Sequence, residues 1–207
     1  MEKLKSIKNI IFDLGGVILN IDQTLTLKAF QKLGVDKFES FYSQNEQNKL
    51  FDNLETGKYS PEEFRNEIKK IIPQNITSSQ IDKAWNAMLL DLPQERLKLL
   101  STLKNQYHLF LLSNTNAIHM STFSSYLNKL FGFSDLSHLF EKEYYSFKIG
   151  MRKPNIEIFE FVLKDSNLKA EETLFIDDSL QHIEGAKKLG IKTYHLQKPQ
   201  SILDISM

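Results

Sequence analysis

Three apolar runs, far apart in a chain of 207 residues, each stop abruptly on polar side chains. Ile10-Ile11-Phe12 stops on Asp13 and the Gly15-Gly16 pair, Leu109-Phe110-Leu111-Leu112 on Ser113-Asn114-Thr115-Asn116, and Leu174-Phe175-Ile176 on Asp177-Asp178. A short continuous apolar run bounded by turn residues reads as a buried strand. The carboxyl ends of neighbouring strands in a parallel sheet lie side by side, so the three polar tips are expected to converge on one crevice.

What lies between the strands supports that sheet. Helical spacing leads through Leu97 and Leu100 into the second run and recurs over about Ala117 to Leu130, Asn155 to Leu163 and Gln181 to Leu189. Gly190 then stops the chain before a fourth strand, Lys192 to Leu196, and a short extended piece is expected around Tyr144-Tyr145. Strands alternating with helices predict an α/β, doubly wound parallel sheet with helices on both faces. From Asp22 to about Leu92 the pattern is helical only, with apolar positions at Leu25, Phe30 and Leu33, at Phe64, Ile68 and Ile71, and at Ile81, Trp85 and Met88. Ser60-Pro61-Glu62-Glu63 and Thr77-Ser78-Ser79-Gln80 are helix starts of the capping type, while Gly34 and Pro73 are stops. The expected organisation is a core of residues 1–20 and 93–207 with a helical insertion of residues 21–92. Phe41, Phe51, Phe64, Trp85 and Met88 read as packing within it, and Phe51 to Gly57 as a segment open to either packing or substrate contact.

Composition narrows the chemistry. The 26 acidic and 26 basic residues balance, so no net field favours nucleic acid or an anionic membrane, and a small ligand is the expected partner. Cysteine is absent, which excludes disulfides and thiolate chemistry and fits a reducing, cytoplasmic setting. The apolar stretch Ile7 to Leu14 is too short, and too interrupted by Asp13, for a signal or a membrane span. The five histidines lack a zinc-ligand spacing. Oligomeric state is not readable.

An acid cluster of Asp13, Asp177 and Asp178 would repel itself without a cation. Oxygen ligands select magnesium, which needs one or two carboxylates and completes its shell with water and substrate phosphate. Lys153 is the expected counter-charge, and the Ser113 hydroxyl with nearby N–H groups is the expected holder of other phosphoryl oxygens. Taken singly, Asp13, Ser113-Asn114 and Asp177-Asp178 also fit ordinary caps, and Lys153 a solvated surface lysine.

The order of these pieces resembles the haloacid dehalogenase superfamily. Phe12-Asp13-Leu14-Gly15-Gly16-Val17 resembles its first motif, Leu112-Ser113-Asn114 its second, Lys153-Pro154 its third and Ile176-Asp177-Asp178-Ser179 its fourth. The helical insertion sits where subfamily I members carry a cap. Ser113-Asn114-Thr115-Asn116, Gly150-Met151-Arg152-Lys153-Pro154 and Ile183-Glu184-Gly185-Ala186 are similar to the bacterial α-glucose-1-phosphate phosphatase branch. The resemblance implies a phosphatase of small phosphorylated metabolites, with a sugar phosphate such as glucose 1-phosphate as leading substrate. It implies that Asp13 is the nucleophile, forming an aspartyl-phosphate that water cleaves. It further implies that Asp13, Asp178 and the Gly15 carbonyl hold Mg2+, with Asp177 as a supporting acid or alternative ligand. Ser113, Asn114 and Lys153 would bind the phosphoryl group.

Two positions depart from that pattern. Gly15 stands where most of these phosphatases carry a second aspartate as general acid and base, and glycine moves no proton; such catalysis is worth about 10²–10⁴ in rate. Asp22 is a possible substitute donor. His182 stands where many relatives carry another acid, four residues after Asp178. Two other readings remain at this point: a true haloacid dehalogenase, which uses the same aspartate without magnesium, and a catalytically weak phosphoacceptor or binding module.

Overall fold

A computed structural model describes residues 6–35, 49–72 and 75–205; Phe41 and Pro73 lie outside those described residues. The five strands are β1 (Asn9–Phe12), β2 (His108–Ser113), β3 (Lys142–Tyr145), β4 (Thr173–Asp177) and β5 (Lys192–His195). They form one parallel sheet in the order β3-β2-β1-β4-β5. The piece around Tyr144-Tyr145 is thus a full edge strand. Successive side chains point to opposite faces of a strand. Ile10, Phe12, Leu109, Leu111, Leu174 and Ile176 accordingly join one buried cluster, and Ile11, Phe110, Leu112, Tyr144 and Phe175 another. Each such fully buried side chain contributes about 1.5–3 kcal/mol.

Register sets the heights of the tips. Phe12 pairs with Leu111 on one side and with Ile176 on the other, and the Asp13 amide donates to the Ile176 carbonyl at 2.9 Å. One further residue along, Asp13 therefore stands level with Asp177 and one residue short of Ser113.

The helices are α1 (Gln23–Lys32), α2 (Lys49–Glu55), α3 (Pro61–Ile71), α4 (Ser78–Trp85), α5 (Gln94–Leu103), α6 (Ala117–Phe131), α7 (Ser146–Ile149), α8 (Ile156–Asp165) and α9 (Leu180–Lys187) among the described residues. Both expected capping boxes form, Ser60 with Glu63 and Thr77 with Gln80. Phe30, Phe51, Phe64, Ile68, Ile81 and Trp85 share a third buried cluster with Ile72, whereas Ile71 is 39% exposed. The helical spacing drawn through Ile71 fails there because α3 ends at that residue and the extended Ile72 turns inward.

Ile118, from the first turn of α6, completes this cluster. Trp85 stacks between Phe51 at 5.3 Å and His119 at 5.0 Å, and its indole N–H donates to Asn116 Oδ1 at 3.4 Å. No helix among the described residues is long and apolar enough to cross a membrane.

Candidate active site

The Lys153 ammonium is completely buried at the carboxyl end of the sheet. It donates to Asp13 Oδ1 at 2.9 Å, to Asp177 Oδ2 at 2.7 Å and to the Leu112 carbonyl at 2.9 Å, so all three N–H groups have acceptors from three adjacent strands. Its ammonium also lies 5.3 Å from the centre of the Phe175 ring. Burial alone would lower the Lys153 pKa, but Asp13 and Asp177 outweigh it and raise the value. The two carboxylates favour the charged ammonium, and its burial is contrary to the solvated-lysine reading.

Asn114 fixes where that lysine begins. Its Nδ2 donates to the Lys153 carbonyl at 2.8 Å and its Oδ1 accepts from the Lys153 amide at 2.9 Å. Among the described residues the buried Ser113 hydroxyl, by contrast, makes no side-chain hydrogen bond and is available to a ligand. Asn116 caps α6, accepting from the amides of Ile118 and His119.

Asp13 is 7% exposed. Its Oδ1 accepts from Lys153 and from the Leu14 amide at 2.7 Å, while Oδ2 accepts no hydrogen bond from the described residues. Burial pushes the Asp13 carboxyl well up, and Asp177 and Asp178 reinforce that against the pull of Lys153.

The two adjacent acids diverge. Asp177 is fully buried, and both its oxygens are engaged: by Lys153, by the Ser179 amide at 2.8 Å and by His182 Nδ1 at 3.0 Å from each oxygen. Burial opposes its charge, yet Lys153 and His182 prevail and hold it below the ordinary carboxylate range. Asp178 is partly exposed and lies against the Asp13 loop, so close that a Cβ on Gly16 would collide with its carboxylate. Burial and the Asp177 charge raise Asp178 to about 6.

Three carboxylates against one ammonium leave an excess of negative charge on oxygen donors only, which fits a hard divalent cation. Asp13, Asp177 and His182 also have ligand atoms within 4.8 Å of one another. The Lys153 ammonium bridges Asp13 and Asp177, so the acids suited to a cation are Asp13 and Asp178.

Several contacts were invisible in the motif pattern. His182 supplies a hydrogen-bond donor to Asp177 where an acid was expected. Arg152, one residue before Lys153, reaches Asp52 at 3.0 Å and Glu55 at 3.0 Å on α2, so the Phe51 to Gly57 segment grips the core. Asp22, the candidate substitute donor, is the N-cap of α1, and hydrogen bonds from the Thr24 side chain and amide hold its carboxyl below the ordinary value, which opposes that role.

A family model described as haloacid dehalogenase-like hydrolase matches residues 10–196. A D-ribitol-5-phosphate phosphatase of Bacteroides thetaiotaomicron is 37% identical over 193 residues, covering 91% of each chain. Among solved structures, a HAD family enzyme from Bacteroides thetaiotaomicron, an aspartate-to-alanine mutant in complex with magnesium and inorganic phosphate, superposes with a TM-score of 0.88. It is 36% identical and covers 94% of this chain and 96% of its own. A predicted HAD-like family hydrolase from Porphyromonas gingivalis superposes with a TM-score of 0.85 at 35% identity, over 94% of this chain and 93% of its own.

Proposed function

The chain belongs to the haloacid dehalogenase-like hydrolase family and is a phosphatase within it, and from that premise we propose that it hydrolyses an open-chain sugar or polyol phosphate with Asp13 as nucleophile and Mg2+ as cofactor. The observation that carries the reading is the buried Lys153 ammonium held between Asp13 and Asp177, with the buried Ser113 at the end of the adjacent strand β2. That arrangement offers a carboxylate, a fixed positive charge and a hydroxyl donor at one point, which is what phosphoryl transfer requires.

In this reading Asp13 attacks phosphorus, an O–P bond forms to the carboxylate, and the substrate's ester O–P bond breaks. The departing alkoxide takes its proton from water, because Gly15 has none to give. Water then attacks the aspartyl-phosphate, releasing inorganic phosphate and restoring Asp13. Ser113 holds a phosphoryl oxygen, and Lys153 stabilises the phosphoryl charge with its ammonium, turning toward it the N–H that Asp13 accepts in the resting site. Asn114 positions Lys153 through its backbone, and Asp177, itself oriented by His182, positions the ammonium. Asp13, Asp178 and the Gly15 carbonyl would hold Mg2+, which when bound supplies positive charge opposite the phosphoryl oxygens. The helices of residues 21–92 form a cap over the crevice that excludes water and selects substrate.

The relative that acts on D-ribitol 5-phosphate moves the leading substrate from glucose 1-phosphate, the first expectation from the motifs, to a pentitol phosphate. The deciding experiment is a screen of phosphorylated metabolites, including both compounds, with and without Mg2+, using Asp13→Asn as the inactive control. Turnover that persists without Mg2+, or in Asp13→Asn, overturns the proposal. Halide release from 2-haloacids without Mg2+ would replace it with a dehalogenase.

A further inference from the structure

A cleft of about 420 Å³ opens beside the catalytic acids, between the start of α1 and the chain leaving β5. Ile21, Asp22, Gln23, Asp178, His195 and Lys198 are among its walls. Its volume suits a small metabolite. Its position suits a leaving group: a Cβ built on Gly15 would lie 3.1 Å from Ile21 Cδ1, so the cleft is one side chain away from the second residue after the nucleophile.

The walls mix polar side chains with Ile21 and Leu196, and part of their hydrogen-bonding capacity is unused. Neither the Gln23 amide nor the Lys198 ammonium makes a side-chain hydrogen bond or ion pair with another described residue. The ammonium is nonetheless near enough to both Asp22 and Asp178 to favour their ionised forms. One wall is fixed: Gln197 Nε2 donates to His195 Nδ1 at 3.0 Å, and His195 Nε2 donates to the Asp178 carbonyl at 3.1 Å. These two contacts orient the ring, with Nε2 facing the Asp178 carbonyl.

We infer that this cleft is the subsite for the alcohol portion of the substrate, with Gln23 and Lys198 as specificity-determining contacts to a chain of hydroxyl groups. The inference rests on the phosphatase reading above. Hydroxyls both donate and accept, which matches walls that mix an ammonium, amides and a carboxylate. A second phosphate or carboxylate matches them poorly, because the Asp22 carboxylate borders the same space and offsets the single ammonium. An apolar alcohol would gain nothing from the amide and ammonium.

The test is a ratio of kcat/KM values, for D-ribitol 5-phosphate over acetyl phosphate, measured for the Mg2+-loaded wild type, Gln23→Ala and Lys198→Met. Acetyl phosphate has no hydroxyl chain, and the ratio is independent of the fraction of folded enzyme. Each substitution is expected to lower the ratio about tenfold, the effect of one lost hydrogen bond to a polar or charged group. A ratio unchanged in both variants overturns the subsite. A wild type that prefers a sugar bisphosphate to its monophosphate overturns the hydroxyl assignment. Failure of the phosphatase reading looks different, since the wild type would then turn over neither compound.

Discussion

At the strand ends an ammonium with no solvent exposure lies between two carboxylates, whereas in the helical insertion the Arg65–Asp82 pair leaves a quarter or more of each side chain in water. Removing one partner of a buried pair strands a charge and typically costs about 3–5 kcal/mol, while an exposed pair contributes about 0–1 kcal/mol. The described helices of the insertion are held chiefly by their apolar cluster. At the sheet end Asp13, Lys153, Asp177 and His182 form one connected set, in which every member fixes the next. Lys153→Met is therefore expected to lower unfolding free energy by about 3–5 kcal/mol and to abolish turnover, and Arg65→Met to lower it by no more than about 1 kcal/mol. Urea denaturation of both variants without metal checks this. Equal losses would mean that the buried charges are not coupled.

That coupling explains what could be read from the sequence. Strand identity was legible because Ile10 to Phe12, Leu109 to Leu112 and Leu174 to Ile176 are continuous apolar runs, and a parallel sheet then brings their tips together. Lys153 was legible only through its motif, since a lysine's burial depends on acids that are distant in the chain. The different roles of Asp177 and Asp178 were legible only through the motif, and the depth to which each is buried was not. Two adjacent residues at a strand end point to opposite sides, and only the partners each one meets decide which is buried. Helix starts in the insertion were legible because a capping box lies within four residues. The reach of Arg152 to Asp52 and Glu55 spans about 100 positions and leaves no local trace.

Gly15 offers a gain rather than a loss. Its backbone is outside the left-handed region, and the one tight contact for an added side chain is the end of the flexible Ile21. Gly15→Asp should therefore fold and place a carboxyl near the leaving group. Turnover of a pentitol phosphate is expected to rise about 10²-fold, the lower end for general acid catalysis, and hydrolysis of p-nitrophenyl phosphate, whose leaving group needs no proton, should change little. Steady-state kinetics on the two substrates decide it; an unchanged rate on the pentitol phosphate would show that proton supply does not limit this site.

Acid pH separates the two neighbours within the coupled set. Asp178, at about 6 when folded against an ordinary 3.8, binds its proton more tightly in the folded chain. The cost it imposes is full above about pH 6 and fades as pH falls toward about 4. Asp177, held low, contributes stability that is full above about pH 4 and is lost on further acidification. In EDTA, from pH 7.5 to 4.5, wild type is thus expected to gain on the order of 1–3 kcal/mol relative to Asp178→Asn. Saturating Mg2+ should erase most of that gain. Parallel stability curves for the two proteins in EDTA would remove Asp178 from the charge cluster.

The smallest effect tests whether the insertion is as modular as its exposed contacts suggest. Ser60 caps α3 by accepting from the Glu63 amide, and Glu63 answers by accepting from the Ser60 amide at 2.7 Å. Ser60→Ala is expected to cost about 1 kcal/mol of stability, as lost N-caps do, and to leave kcat and KM within about twofold. The second half of that expectation is the informative one. Three residues earlier, Gly57 packs so closely on the Phe147 carbonyl that a side chain would not fit, and five residues earlier Glu55 holds Arg152 beside Lys153. A cap at Ser60 that is purely local leaves those contacts in place. Should Ser60→Ala shift KM as well as the unfolding midpoint, the turn from Asp52 to Ser60 transmits helix stability to the lysine, and the insertion belongs to the coupled set.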